Sequence, residues 1–310
     1  MLFDKSFLHV LLARFPLLRR FLHLRLCWVH RLRYLLLPSS QRAIYIESAA
    51  KTASGSLFDN IEKAEDAGRM RDGLLVLHTG LKVLPTAYHG FQFLVRMQNT
   101  CGVDDLEEEF VFQRVLSQIG KGGLMIELGS FWAHYSLWFK SRVGGARNFC
   151  IEPELRNLLY GITNAEINDL DKGIVFLHNY ISDRMDPSTH PATLTIDQLV
   201  TQHGIMQIDI LHSDIQGAEA KMLLGARDIF LNRKVRYALI STHSDDLHRC
   251  CRSLLESYGY GTPVDIAPFG EFHPDGLLVA ASTTGDLKFL STVGSEMQPA
   301  NAVAGTLAGC

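Results

Sequence analysis

From Leu124 onward, short apolar runs alternate with longer stretches of helical periodicity, and this alternation constrains the fold more than any other feature of the chain. The runs lie near Leu124–Leu128, Phe149–Glu152, Ile174–His178, Ile208–Ser213 and Tyr237–Thr242. Helical candidates near Ala133–Arg142, Glu154–Asn168, Ala218–Leu224 and Asp246–Tyr258 follow or separate them. Apolar strands joined by crossover helices build an α/β parallel sheet with both faces covered. Gly122, Gly123 and Gly173 punctuate the returns from helix to strand. Two further strand-like runs, GTPVDIAPFG and DGLLVAAS, come with no helix between them, so the sheet is expected to close in a hairpin with an antiparallel edge strand.

The 310 residues, 47% hydrophobic and 20% charged, suffice for a sizeable core. Six cysteines show no C-x-x-C spacing and no matching histidine array, which excludes a recognisable zinc or disulfide framework and suits reduced thiols in a cytoplasmic compartment. A net charge of -3 argues against a nucleic-acid partner. It conceals an asymmetry: residues 1–40 carry Lys5, Arg14, Arg19, Arg20, Arg25, Arg31 and Arg33 against Asp4, a net +6 that leaves -9 for the rest. That segment reads as a targeting sequence, a membrane-surface helix or helices laid over the main domain. Arginines interrupt every apolar run before it reaches the roughly 18 to 20 residues of a membrane span, and they exclude a secretory signal in the same way. They also fall all round a helical wheel, which favours covering helices; peripheral contact of residues 1–37 with the inner face of a membrane is the alternative. The expected organisation is a basic leucine-rich helical segment at 1–40 and a helical region at 41–118 packed on the core. The alternating domain spans 119–284, and a flexible small-residue tail spans 285–310. The acidic run from Val103 to Phe110 is read as the solvated first turn of a helix.

In an open α/β sheet, ligands bind beyond the carboxyl ends of the strands. The first strand ends in Glu127, followed at once by Gly129, which would let backbone approach a ligand while Glu127 offers an anion to a cation or hydroxyl; a capping or surface carboxylate is the alternative. The second strand ends in Glu152, about 20 residues beyond the glycine turn, where an acid can accept both hydrogens of a ribose diol, or merely cap the next helix. The G-x-G-x-x-G cradle for a pyrophosphate is missing, so a phosphate-free nucleoside fits better than a dinucleotide. S-adenosylmethionine has the diol, an adenine for apolar walls and an ammonium for a carboxylate. Ser182 and Asp183 after the third strand are candidates for the adenine edge, or an ordinary turn. After the fourth strand, Asp214 could orient an acceptor hydroxyl, ligate a divalent cation or cap a helix, and Glu219 sits in the next first turn. His212 shares the face of Asp214 and reads as a core histidine. His243 ends the fifth strand, where a pKa near 6.5 suits a general base, or a metal ligand, unless it only precedes the Ser244 cap.

These segments, MIELGSFWAHYS, CIEPELRNL, TLTIDQL, LHSDIQGAEAKMLLGA, ALISTHS and DGLLVA, resemble the FkbM-type methyltransferases of the class I S-adenosylmethionine-dependent superfamily, over roughly Val103 to Ala281. The resemblance implies a Rossmann-like sheet of seven strands, mostly parallel, with the last antiparallel. It implies a cofactor site at Glu127, Gly129 and Glu152, with Asp214 and Glu219 near the acceptor; beside it, Ser130, Ser182, Asp183 and Asp214 are further candidates for the cofactor, and His243 for the acceptor side. It further implies O-methylation of a sugar, glycolipid or other secondary product. One departure concerns the loop: Ala133 stands where the family usually has a second glycine, which is tolerable if the backbone there is not left-handed. Two rivals remain, an NAD-dependent oxidoreductase, against which the missing glycines speak, and a non-catalytic binding protein built on the same scaffold.

Overall fold

A computed structural model of the chain describes residues 29, 31–85, 87, 90–268 and 275–297; most of the basic segment and the tail after Met297 lie outside the described residues. The chain divides into two compact units, Met1–Leu194 and Thr195–Cys310.

In the first unit, β1 (Leu124–Leu128), β2 (Arg147–Ile151) and β3 (Ile174–Leu177) pair in parallel, Leu124 opposite Arg147 and Asn148 opposite Ile174. All five residues of β1 are buried, as a strand covered on both faces requires. Helices His134–Arg142 and Leu155–Ile167 make the crossovers. The region before β1 differs from the expectation of a mostly helical stretch. Helices Ser39–Thr52, Phe91–Asn99 and Leu106–Leu116 are present, but a three-stranded antiparallel sheet of Met70–Arg71, Leu74–Val76 and Lys82–Val83 sits among them. Its first turn is Asp72-Gly73, both left-handed at φ 52° and 77°, the pairing that a two-residue hairpin demands. Asp105 caps helix Leu106–Leu116, accepting from the Glu108 amide at 3.4 Å. The acidic run is nonetheless not a solvated face: Glu108 and Glu109 are buried.

In the second unit, β4 (Ile208–Ser213) and β5 (Val235–Thr242) are parallel, while β7 (Gly276–Ala281) runs antiparallel to both β5 and β6 (Gly261–Ile266). The strands follow the order β6-β7-β5-β4-β1-β2-β3 in one seven-stranded, mostly parallel α/β sheet. The antiparallel last strand is thus interior and β6 forms the edge. Composition explains the exchange: β7 is buried throughout, whereas β6 contains Pro263, which cannot donate to a ladder on both sides. The tail also departs from expectation, since Thr284–Met297 is a helix with Leu290 and Val293 buried. Asp286 anchors it, accepting from Tyr237 Oη at 2.6 Å, Arg236 Nη2 at 3.0 Å and Thr283 Oγ1 at 2.8 Å. Among the described residues no helix is long and apolar enough to cross a membrane.

Candidate active site

The turn after β1 is built by two buried carboxylates. Gly129 turns left-handed at φ 69°, and its amide and that of Ser130 both donate to the Ile151 carbonyl at 2.9 and 3.0 Å, binding the turn to the end of β2. Glu152 lies just beyond β2; its Oε2 accepts from the Phe131 amide at 3.0 Å and its Oε1 from the Glu154 amide at 2.8 Å. Burial pushes the Glu152 carboxyl up, against those hydrogen bonds. Glu127 turns the other way. Its Oε2 accepts from the Ser136 amide at 3.0 Å, so it fixes the start of helix His134–Arg142 from beneath. Gly129, Ser130, Glu127 and Glu152 are therefore gathered round one turn. Ser182 and Asp183 follow the short strand Tyr180–Ile181, where the Ser182 hydroxyl donates to Asp183 at 2.9 Å and the Ser182 amide to the Leu194 carbonyl at 3.0 Å.

Ala133 does not meet the condition under which its methyl would be tolerable. It is left-handed, at φ 64° and ψ 37°, and Phe131 two residues before it has φ 45°. An L residue in this region costs about 1–2 kcal/mol. Gly161 of helix Leu155–Ile167 faces it; a Cβ built on Gly161 would meet the Ala133 Cβ at 3.1 Å, so the glycine missing from the turn has a counterpart on the helix against it.

In the second unit, Asp214, Glu219 and His243 converge as the sequence suggested, and Gln216 and Asp275 join them. His243 Nδ1 lies 3.0 Å from Glu219 Oε1, and its Nε2 lies 3.1 Å from Asp214 Oδ1 and 3.4 Å from Asp275 Oδ1. Glu219 is fully buried and also accepts from the Ile215 amide at 3.3 Å and twice from the Gly217 amide, at 3.0 and 3.1 Å. These bonds hold a loop in which Gln216 (φ 54°) and Gly217 (φ 105°) are both left-handed. His212 is buried in β4, as a core histidine. Ser244 caps helix Asp245–Ser257, a role separate from that of the imidazole before it. Asp275 could not be found by spacing, because it reaches the cluster from the far side of the β6–β7 connection.

Electrostatics revise the value expected for the imidazole. Burial opposes its charge, but hydrogen bonds to Asp214 and Glu219 prevail and raise the His243 pKa to about 10. Burial likewise opposes the Asp214 carboxylate, and the bond to His243 outweighs it and holds that carboxyl below its usual range. At neutral pH the ring is an imidazolium, unable to accept a proton until it has released one. Gln216 Nε2 donates to Asp214 at 2.9 Å and lies 2.8 Å from His243 Nε2, a contact that suits the ring only once it has lost that proton. Ligand atoms of Asp214, Glu219 and His243 all lie within 4.8 Å of one another, so the cluster can exchange its proton for a divalent cation.

Residues 111–261 match the Methyltransferase FkbM domain. No curated protein matches the chain. Among solved structures, it is similar to TrmK of M. capricolum in complex with S-adenosyl-homocysteine, at 13% identity over 56% of this chain and 68% of that one, TM-score 0.40. It is similar also to the precorrin-6y C5,15-methyltransferase of Geobacter metallireducens GS-15, at 13% identity over 56% of this chain and 89% of that one, TM-score 0.40.

Proposed function

We propose that this FkbM-domain protein is an S-adenosylmethionine-dependent O-methyltransferase acting on a hydroxyl of a sugar, glycolipid or comparable small molecule. The observation that carries the reading is the turn after β1, opened by left-handed Gly129 and tied to Glu152 at the end of β2. The donor set fits the cofactor. Glu152 is buried beside the turn and accepts N–H donors from Phe131, Glu154 and Asn157, so it has the polarity and placement to take the hydrogens of a ribose diol. Gly129 and Ser130 shape the turn, Glu127 positions it through Ser136, and Ser182 and Asp183 are assigned to the adenine edge.

The bound cofactor supplies a methyl group on a sulfonium, an electrophile that needs no further activation. The protein's own part is to hold the acceptor oxygen in line and exclude water. The C–O bond forms as the S–C bond breaks, and the hydroxyl proton leaves the acceptor. Asp214, kept ionised by His243, is the group that receives it; Glu219 and His243 orient the acceptor hydroxyl, with a divalent cation as an alternative occupant of the same cluster.

One observation favours a second reading. Left-handed Ala133 strains the turn, and a scaffold that binds without catalysing would carry such a change at no loss. Calorimetric titration with S-adenosylhomocysteine, with NAD as control and Glu152→Ala alongside, tests the cofactor. Binding that is lost in the variant and absent with NAD supports the assignment, and a panel of sugar and glycolipid acceptors with labelled methyl donor then tests the reaction. Absence of binding by the folded wild type would refute the proposal.

A further inference from the structure

A second imidazole–carboxylate cluster lies wholly within the first unit. His78 follows strand Leu74–Val76, Glu109 lies in helix Leu106–Leu116, and His134 opens the helix after the β1 turn; their relative exposures are 1%, 0% and 5%. Glu109 reaches both rings with different oxygens, Oε2 at 2.9 Å from His78 Nε2 and Oε1 at 3.1 Å from His134 Nε2. The three residues' ligand atoms lie within 4.8 Å of one another.

Hydrogen bonding alone leaves this arrangement incomplete. His78 Nδ1 sits 3.3 Å from the Glu62 carbonyl, which can only accept, so Nδ1 carries a proton. Although 2.9 Å apart, His78 Nε2 and Glu109 Oε2 form no aligned hydrogen bond and neither has another partner. A buried imidazole nitrogen and a buried carboxylate oxygen held this close without an aligned hydrogen bond have the spacing of two ligands of one cation. The Nδ1–H to backbone carbonyl bond is also the usual outer support of a metal-bound imidazole.

We propose that His78, Glu109 and His134 bind one transition-metal ion of the zinc class through two imidazole Nε2 atoms and the Glu109 carboxylate. Two nitrogens and one oxygen favour Zn²⁺ or Co²⁺ over Mg²⁺ or Ca²⁺, which prefer all-oxygen sites. The ion would pin the region before β1 to the turn after it: Trp132 stacks on the His134 ring with centroids 5.0 Å apart and planes 14° from parallel. The inference does not depend on the methyl-transfer reading.

The test uses the full chain carrying His243→Ala, which breaks the other cluster. After chelator treatment and dialysis, Co²⁺ is titrated in and the visible d–d bands are recorded; Zn²⁺ is then added, and bound metal is measured by mass spectrometry. One Co²⁺ per chain with tetrahedral-type bands, displaced by Zn²⁺ and not by Mg²⁺, is expected. Adding Glu109→Gln or His78→Ala should weaken binding by at least about tenfold, since a ligand itself is removed. If the folded His243→Ala protein shows no bands and holds no stoichiometric metal, the proposal is overturned, and this holds even if the ligand variants fail to fold. Undiminished binding in folded Glu109→Gln would overturn it equally.

Discussion

The exchange of glycine between turn and helix makes a quantitative prediction. A methyl group placed on Gly161 would meet the Ala133 Cβ at 3.1 Å, Phe176 Cε1 at 3.2 Å and the Phe131 carbonyl at 3.5 Å. Gly161→Ala gains roughly 0.5–1 kcal/mol of helix propensity but overpacks a closed site, at a cost of about 1–3 kcal/mol. A net destabilisation of about 0.5–2 kcal/mol is expected. Ala133→Gly alone relieves about 1–2 kcal/mol of left-handed strain, and it loses a comparable amount through a buried methyl and a freer unfolded chain. Its net effect should lie within about 1 kcal/mol of zero. In the double variant the 3.1 Å contact disappears while the helix gain and strain relief remain. The two changes should therefore couple favourably by about 0.5–1.5 kcal/mol, measurable as a double-mutant cycle in urea unfolding of the four proteins. Additivity within about 0.3 kcal/mol, or a stabilising Gly161→Ala, would refute the claim that these positions share one methyl's worth of space.

His243 gives a pH signature in metal-free protein. Its folded pKa is raised to about 10 by Asp214 and Glu219, with Asp275 facing the same nitrogen as Asp214, so its contribution to stability is complete below about 6.5, the unfolded value, and is lost as pH rises through 10. The stability difference between wild type and His243→Gln should shrink between pH 6 and 10, and an NMR titration midpoint near 6.5 instead would sink the assignment. Glu219→Gln should cost more than Asp214→Asn, by about 1 kcal/mol or more, because one amide oxygen cannot accept all the bonds now made to the Ile215 and Gly217 amides; equal melting temperatures for the two would contradict this. Asp286→Ala should destabilise by about 1–3 kcal/mol, since it strands Tyr237 Oη and Arg236 together. Calorimetry would detect it, and an unchanged transition would mean that the last helix is not tied down as described.

The parallel core was readable because each strand is apolar on both faces; β1 and β4 have the residues expected for them, and β2, β3 and β5 differ at their ends by one or two. Where pattern failed, local chemistry had outweighed it. The Asp72-Gly73 hairpin joins strands of only two and three residues, too short for alternation to register, although the dipeptide itself was a usable turn signal. The final helix looked like a tail because its small polar sequence has few apolar positions; what orders it is a single carboxylate, Asp286, bonded to side chains about 50 residues earlier, and no window of sequence contains both partners.

The same distinction between local and distant partners separates the two charged clusters. Asp214 and Glu219 fall within six residues at a strand end, so their convergence could be anticipated, and only the strength with which they hold the His243 proton could not. Glu109 and His134 are 25 residues apart, on different helices, and the carboxylate was masked by neighbours that account for themselves: Asp105 caps, and Glu107 is half-buried in the first turn. What distinguishes Glu109 is the helical period. Phe110, Val111, Phe112 and Val115 bury most of the helix circumference, which leaves few solvent-facing positions, and Glu109 is not one of them. An acid forced inward by its helix must find a partner, as Glu127 did at the end of β1. Buried imidazoles at His78 and His134 are the partners that the rest of the first unit supplies.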